Sequence, residues 1–274
     1  MSSPVPVIEC RGDPRAMGQA QGSACYSEIR ARVDALESAH RGRRPWSLRP
    51  LLVGPVLGSG MAREIFRHYP HLGERMQGLA RGADCSLDSL VEVFVRASRD
   101  DLPGEVLSAP ASVAARAGDT ARVARSLPEG AWIARRSEPE VGFASLEITL
   151  PWLACAVAGV NEGGIAAAVV SQAVPRVADA PSPLLLVQEC LQRFDDVTGC
   201  IDWSLKRPTS GCVRLVVGSG TGRVAVIEID GDRRTVHEVA GETDGKLDTD
   251  LVLDPYQRSL QVRLAGREPA TLSL

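Results

Sequence analysis

Between Leu107 and Gln172 the chain reads as a succession of short strands, and this stretch limits the fold more than any other. Alternation is clearest from Val141 to Leu150, where Ala144, Leu146, Ile148 and Leu150 fall on one face and Ser145, Glu147 and Thr149 on the other. A Gly-rich turn, Asn161-Glu162-Gly163-Gly164, separates the last two strands. Asn and Gly suit it because both tolerate left-handed backbone. Short strands need neighbours at their edges and a cover over the apolar face, so the rest of the chain must supply both. Helical segments precede the stretch, and a helical interlude and a second strand block follow it.

Composition excludes several classes. With 274 residues, 44 % hydrophobic and 24 % charged, the chain can bury a sizeable core and is not of disordered composition. A net charge of −3 argues against a general nucleic-acid binder. The opening MSSPVPV lacks the basic-then-apolar pattern of a leader, and no apolar run approaches the roughly 20 residues of a membrane span. A cytoplasmic protein without membrane contact is expected. The cysteines, at positions 10, 25, 85, 155, 190, 200 and 212, form no C-x-x-C pair and read as reduced core residues. Neither a metal nor a cofactor is expected.

In chain order, a strand-like lead from Val5 to Cys10 meets the turn signature Arg11-Gly12-Asp13-Pro14. In the helix that follows, Tyr26, Ile29, Val33 and Leu36 make one apolar stripe. His40 to Arg49 is a basic loop around Trp46. It is either a solvated surface loop or a docking patch in which Arg41, Arg43, Arg44 and Arg49 grip an anion or an acidic carrier protein. Leu51 to Tyr69 reads as a helix ending before Pro70, and Leu72 to Ala83 as a shorter one. His68 and His71 have no third ligand in view and read as helix-end histidines rather than a metal pair. Ser86 caps a helix burying Leu87, Leu90, Val91 and Phe94.

Beyond Gln172, Ser182 and Pro183 open a helix that runs through Leu186, Glu189, Cys190 and Arg193 to Phe194, and a second covers Asp196 to Leu205. Strands follow over Cys212 to Val217, Arg223 to Ile229 and Arg233 to Val239. The run Gly218-Ser219-Gly220-Thr221-Gly222 resembles a phosphate loop, but a strand follows it, so it reads as a hairpin turn. The expected organisation is a single domain: a mainly helical part over 1–104, a strand-rich core over 105–240 with a helical pair at 182–205, and a surface wrap over 241–274.

Several segments, taken together in order, resemble one family. ECRGDPRAMGQAQG is similar to the start of the acyl-CoA:6-aminopenicillanate acyltransferase (isopenicillin N acyltransferase-like) group, and HYPHLGERMQGLARGADCSLDSLVEV to its segment from a Pro through a G-x-A-x-G-A turn into a helix. GVNEGGIAAAVVS resembles its N-E-x-G-L segment, and SPLLLVQECLQRFDDVTGCIDWSLKR with VAVIEIDG its helix pair and following hairpin. The resemblance extends to about Gly231. It implies an α+β, four-layer αββα Ntn-hydrolase sandwich of two antiparallel sheets between helix layers. It also implies self-cleavage before a Cys, Ser or Thr whose new amine serves as base, with backbone N–H groups and an Asn holding the oxyanion.

The chain departs from that pattern where the chemistry should be. The expected nucleophile falls on or near Pro110, and no cysteine lies between Cys85 and Cys155. The family's acidic residue aligns with Pro128, its later Asn is replaced by Val170 or Ser171, and no C-terminal T-N-H segment is present. The groups left for catalysis are Ser108 or Ser112 as a shifted nucleophile, Arg125, Glu147 and Ser171; each has an ordinary structural reading as well. Glu147 is a base if its face lines a pocket, and otherwise a solvated or salt-bridged carboxylate. Arg11, Asp13, Trp132, Arg135, Asn161 and Gln172 are the candidates for holding substrate, and Arg136 could orient an anion; Asn161 also reads as a turn residue and Trp132 as core filling.

Three functions fit. The first is a biosynthetic enzyme that keeps the scaffold but not the covalent step, cyclising a small amine-bearing intermediate or eliminating an anion from it. The second is a serine-dependent N-acyltransferase or amide hydrolase. The third is a non-catalytic binding or partner protein.

Overall fold

The computed structural model describes residues 5–41, 57–98, 115–117, 120–125, 127, 130–171, 181–209, 212–238, 251–262 and 269–274. After β1 (Val7–Gly12), the Asp13 side chain accepts a 2.8 Å hydrogen bond from the Ala16 N–H, and Pro14 takes the first helical position. This cap-and-proline pair starts α1 (Pro14–Ala24) directly after the turn. In α2 (Tyr26–Arg41) the stripe Ile29, Val33 and Leu36 is buried, while Tyr26 at its head is exposed. α3 (Leu57–His68) stops short of Pro70, which opens α4 (Pro70–Gly82). Ser86 Oγ accepts from the Ser89 N–H at 3.0 Å and caps α5 (Leu87–Ser98), which buries Leu90, Val91 and Phe94.

α1 and α4 touch backbone to backbone. A Cβ on Gly18 would lie 2.0 Å from the Arg75 carbonyl oxygen, and one on Gly78 would lie 2.0 Å from that of Arg15. Only glycine allows this approach. The GLARGA segment, within the helix expected over Leu72 to Ala83, is the C-terminal part of α4, with Gly78 and Gly82 forming its contact face. The contact fixes what projects from both helices toward the sheet, Gln21 and Arg75 included.

The strands follow in order as β2 (Ala115–Ala117), β3 (Thr120–Arg125), β4 (Ile133–Pro139), β5 (Ser145–Thr149), β6 (Ala158–Asn161) and β7 (Ile165–Ser171). Next come α6 (Leu184–Arg193) and α7 (Val197–Lys206), the latter capped by Asp196 accepting from the Gly199 N–H at 2.8 Å. β8 (Cys212–Ser219) and β9 (Val224–Asp230) form the hairpin expected at the glycine run, followed by β10 (Arg233–Glu238). The C-terminal segment expected to wrap the surface instead supplies β11 (Leu251–Asp254), β12 (Ser259–Val262) and β13 (Ala270–Ser273). The buried side chains Leu251, Leu253, Leu260 and Val262 alternate as a half-buried sheet requires.

Two sheets result. One has eight strands in the order β1-β4-β5-β6-β7-β8-β9-β10, and the other five in the order β13-β12-β11-β3-β2. All pairings are antiparallel except that of β1 with β4. α1 packs on β1 and β4, α6 on β6 and β7, and α7 on β8 and β9; β3, β11 and β12 pack on β6 to β8. Among the described residues the layers run helices, eight-stranded sheet, five-stranded sheet. Register decides which residue meets which layer. Arg136 of β4 donates to the Ser273 carbonyl of β13 at 2.7 Å, so its neighbours Arg135 and Ser137 face the helices.

Candidate functional site: a buried charge network beside a cavity

β5 is buried along its whole length, so its polar face meets protein and not solvent. Ser145 and Glu147 sit opposite Ser137 and Arg135 of β4, beneath α1, α4 and α6. Arg135 Nε donates to Glu147 Oε2 at 2.5 Å, and Nη2 of Arg135 pairs with the same oxygen. Ser137 Oγ also donates to Oε2, at 3.1 Å, while Ser145 Oγ and Gln188 Nε2 each donate to Oε1 at 2.7 Å. Arg135 is held from its other side by Gln21 Oε1 at 2.5 Å and Gln188 Oε1 at 3.0 Å. Both amides are themselves anchored: Gln21 Nε2 donates to the carbonyls of Pro151 and Leu153 at 2.9 Å, and Gln188 Oε1 accepts from the Ala156 N–H at 3.0 Å. Complete satisfaction of this kind is what makes a buried ion pair tolerable.

A second guanidinium joins the network. Arg75 of α4 is fully buried and donates from Nη2 to Ser137 Oγ at 2.9 Å, while its Nε and Nη1 have no hydrogen-bond partner. Burial, then repulsion from Arg135, lowers its pKa to about 10, so it stays charged at neutral pH. Burial works to raise the Glu147 carboxyl. The Arg135 and Arg75 charges and the hydrogen bonds from Ser145 and Gln188 outweigh it and hold the group below the usual carboxylate range. The nearby thiols go the other way: burial raises Cys10, and pushes Cys25 and Cys155 up to about 12. They remain protonated and are not nucleophiles.

On the α4 side of the network is a cavity of about 750 Å³. Its apolar wall comes from Pro14, Met17, Leu72 and Phe143, and its polar groups include His71, Arg75, Glu140 and Arg193. The turn between β4 and β5 closes one side. Gly142 there has φ +105°, and a Cβ would lie 2.3 Å from the Gln192 carbonyl oxygen, so the turn rests directly on the end of α6. The Phe143 N–H donates to that same carbonyl at 2.9 Å. His71 Nε2 lies 2.6 Å from Glu189 Oε1, and Arg193 Nε lies 2.9 Å from Oε2. No partner is aligned for a hydrogen bond to either Glu189 oxygen or to His71 Nε2, and the Arg193 guanidinium supplies the charge facing this buried carboxylate.

Of the residues singled out in the sequence, Glu147 and Arg135 are brought together at the centre of the network. Trp132 and Asn161 are buried. Asn161 Nδ2 donates to the carbonyls of Leu191 and Phe194 at 2.9 and 2.8 Å, and its Oδ1 accepts from Ile165 N–H at 2.8 Å, tying the β6–β7 turn to the end of α6. Asp13 is the α1 cap, and Arg11 pairs in solvent with Glu9 and Glu138. Arg125 and Ser171 take part in strand pairing, with Leu251 and Val213 respectively. Ser108, Ser112, Gln172, Pro110, Arg43, Arg44, Arg49 and Trp46 lie outside the described residues, as does the Arg41 side chain. His68 pairs with Glu64 at 3.3 Å rather than with His71, and no cluster able to hold a metal occurs among the described residues.

Sequence reasoning did not single out Arg75, Gln21, Gln188 or the role of His71 with Glu189. The available signal was a charged or amide residue inside an apolar stripe: Arg75 between Leu72, Met76 and Leu79, and Gln188-Glu189 inside LLLVQECL.

No family model matches the chain, and no curated protein does. Among solved structures, penicillin V acylase from Agrobacterium tumefaciens is 19 % identical over 46 % of this chain and 48 % of its own, with a TM-score of 0.35. A variant of conjugated bile acid hydrolase from Clostridium perfringens is 14 % identical over 47 % of this chain and 46 % of its own, with a TM-score of 0.28. The chain thus spans about half the length of these two structures, a likeness that fixes neither its family nor its activity.

Proposed function

We propose that the chain is a diverged Ntn-hydrolase-type enzyme that does not cut itself and acts non-covalently on a small molecule bound in this cavity. The observation that carries the reading is the His71–Glu189 contact of 2.6 Å in the wall of a cavity of about 750 Å³. That volume is within the usual range of small-molecule sites, about 300–1,000 Å³. An imidazole fixed from behind by a carboxylate is a general acid–base that needs no covalent nucleophile. The order of motifs in the sequence and the packing of one sheet on another are what favour the ancestry.

The reaction class that suits these groups is cyclisation of an amine-bearing intermediate. The amine nitrogen bonds to the carbon that carries the leaving group, the bond to that group breaks, and it departs as an anion with the electron pair. His71 takes the ammonium proton. The basic segment holding Arg41, Arg43, Arg44 and Arg49 is proposed to dock an acidic carrier of the intermediate, an association that high salt weakens.

Intact mass and turnover test this together. A single chain of 29.2 kDa is expected, with turnover of amine substrates carrying an anionic leaving group that falls at least tenfold in His71→Gln. Two fragments, one beginning at Ser108 or Ser112, would show the serine-dependent chemistry instead. Unchanged turnover in His71→Gln would remove the acid–base role.

A further inference from the structure

Arg75 and Arg135 are two guanidiniums facing a single carboxylate, Glu147, and that carboxylate already accepts from Arg135, Ser137, Ser145 and Gln188. The network therefore carries one positive charge more than it neutralises. The excess lies with Arg75, which forms part of the cavity wall and has unpartnered Nε and Nη1 atoms. Unmet buried donors on a cation are costly, and an acceptor with negative charge is the group that removes the cost. The other charges around the cavity do not supply it. Glu189 is drawn to His71 and Arg193, and Glu140 is exposed.

We infer that the cavity takes a small carboxylate with an apolar body, its carboxylate drawn to the buried charge of Arg75 and its hydrocarbon part against Pro14 and Phe143. This deepens the reading of the cavity as a substrate site and rests on it. The cyclising substrate would then carry a carboxylate in addition to its amine. Neither the catalytic step nor self-cleavage enters the recognition, so binding is measurable without turnover.

The test is titration of the full chain with hexanoate, hexanamide and hexylamine, three ligands of nearly one size that differ in head-group charge. Calorimetry reads affinity, and the ¹⁵N-resolved Nε–H signal of Arg75 reads location. Hexanoate is expected to bind at least tenfold more tightly than hexanamide or hexylamine and to move the Arg75 signal. Arg75→Lys should keep part of the preference and Arg75→Met should abolish it. Should Arg75→Met not fold, the wild-type preference and the Arg75 signal still decide. Equal binding of the three ligands, no binding, or an unmoved Arg75 signal overturns the inference. Preference for hexanoate with no turnover of any amine substrate would leave it standing while refuting the cyclisation chemistry.

Discussion

Replacing Glu147 by glutamine keeps the side-chain shape and removes the one negative charge beneath two buried guanidiniums. Glu147 accepts four hydrogen bonds, two on each oxygen, from Arg135, Ser137, Ser145 and Gln188. Glutamine can accept on one side only, and on the other its own N–H₂ opposes a donor. Arg135 and Arg75, both fully buried, then face each other without a counter-charge. Removing one partner of a buried pair costs about 3–5 kcal/mol, a large share of the roughly 5–15 kcal/mol that holds a typical domain together. Urea unfolding is the suitable assay, because urea, unlike guanidinium, does not screen charge. The midpoint should drop with little change in slope. A Glu147→Gln stability within about 0.5 kcal/mol of the parent, the range of ordinary surface changes, would refute the reasoning.

Four further outcomes follow from the same structure. Because the folded Glu147 carboxyl titrates below its unfolded value of about 4.3, it contributes stability that is present above that pH and lost as pH falls through the folded value. Acid unfolding followed by circular dichroism should therefore be shallower below that pH in Glu147→Gln. Gly78→Ala puts a Cβ 2.0 Å from the Arg15 carbonyl oxygen and must part α1 from α4, costing at least about 2 kcal/mol by urea midpoint. Gly231→Ala, with nothing within 4 Å of its Cβ and φ +59°, should cost only the local strain of about 1 kcal/mol. Native-state alkylation at pH 8 should leave Cys10, Cys25 and Cys155 unmodified until denaturant is added, as read by peptide mass, because all three are buried and their thiols stay protonated.

Local signals in the sequence placed many of the elements. The Arg11–Pro14 turn and the Ser86 cap each lead into a helix, and the glycine run after Cys212–Val217 makes a hairpin because a second strand follows it. These are contacts among neighbours in the chain, so residue identity and spacing suffice to specify them. The alternation in β5 likewise separated Leu146 and Ile148 from Ser145 and Glu147 correctly. It left open whether the polar face meets water or protein, because that depends on which helix lies over it.

The candidate site is where the tertiary structure decided most. Arg75 and Glu147 are 72 positions apart, and Glu189 is 118 positions from His71. Backbone contact at Gly18 and Gly78, the β4–β5 register and the rest of the Gly142 turn on α6 are what bring these groups to one place. The sequence by itself determined the central strands, the Ser86 cap and the hairpin at the glycine run, each specified by adjacent residues, whereas β11 to β13 became strands only through the partners the fold gives them. Only the fold determined that a polar strand face would be sealed under helices and left with a surplus positive charge, because charge balance in an interior is set by groups distant in the chain.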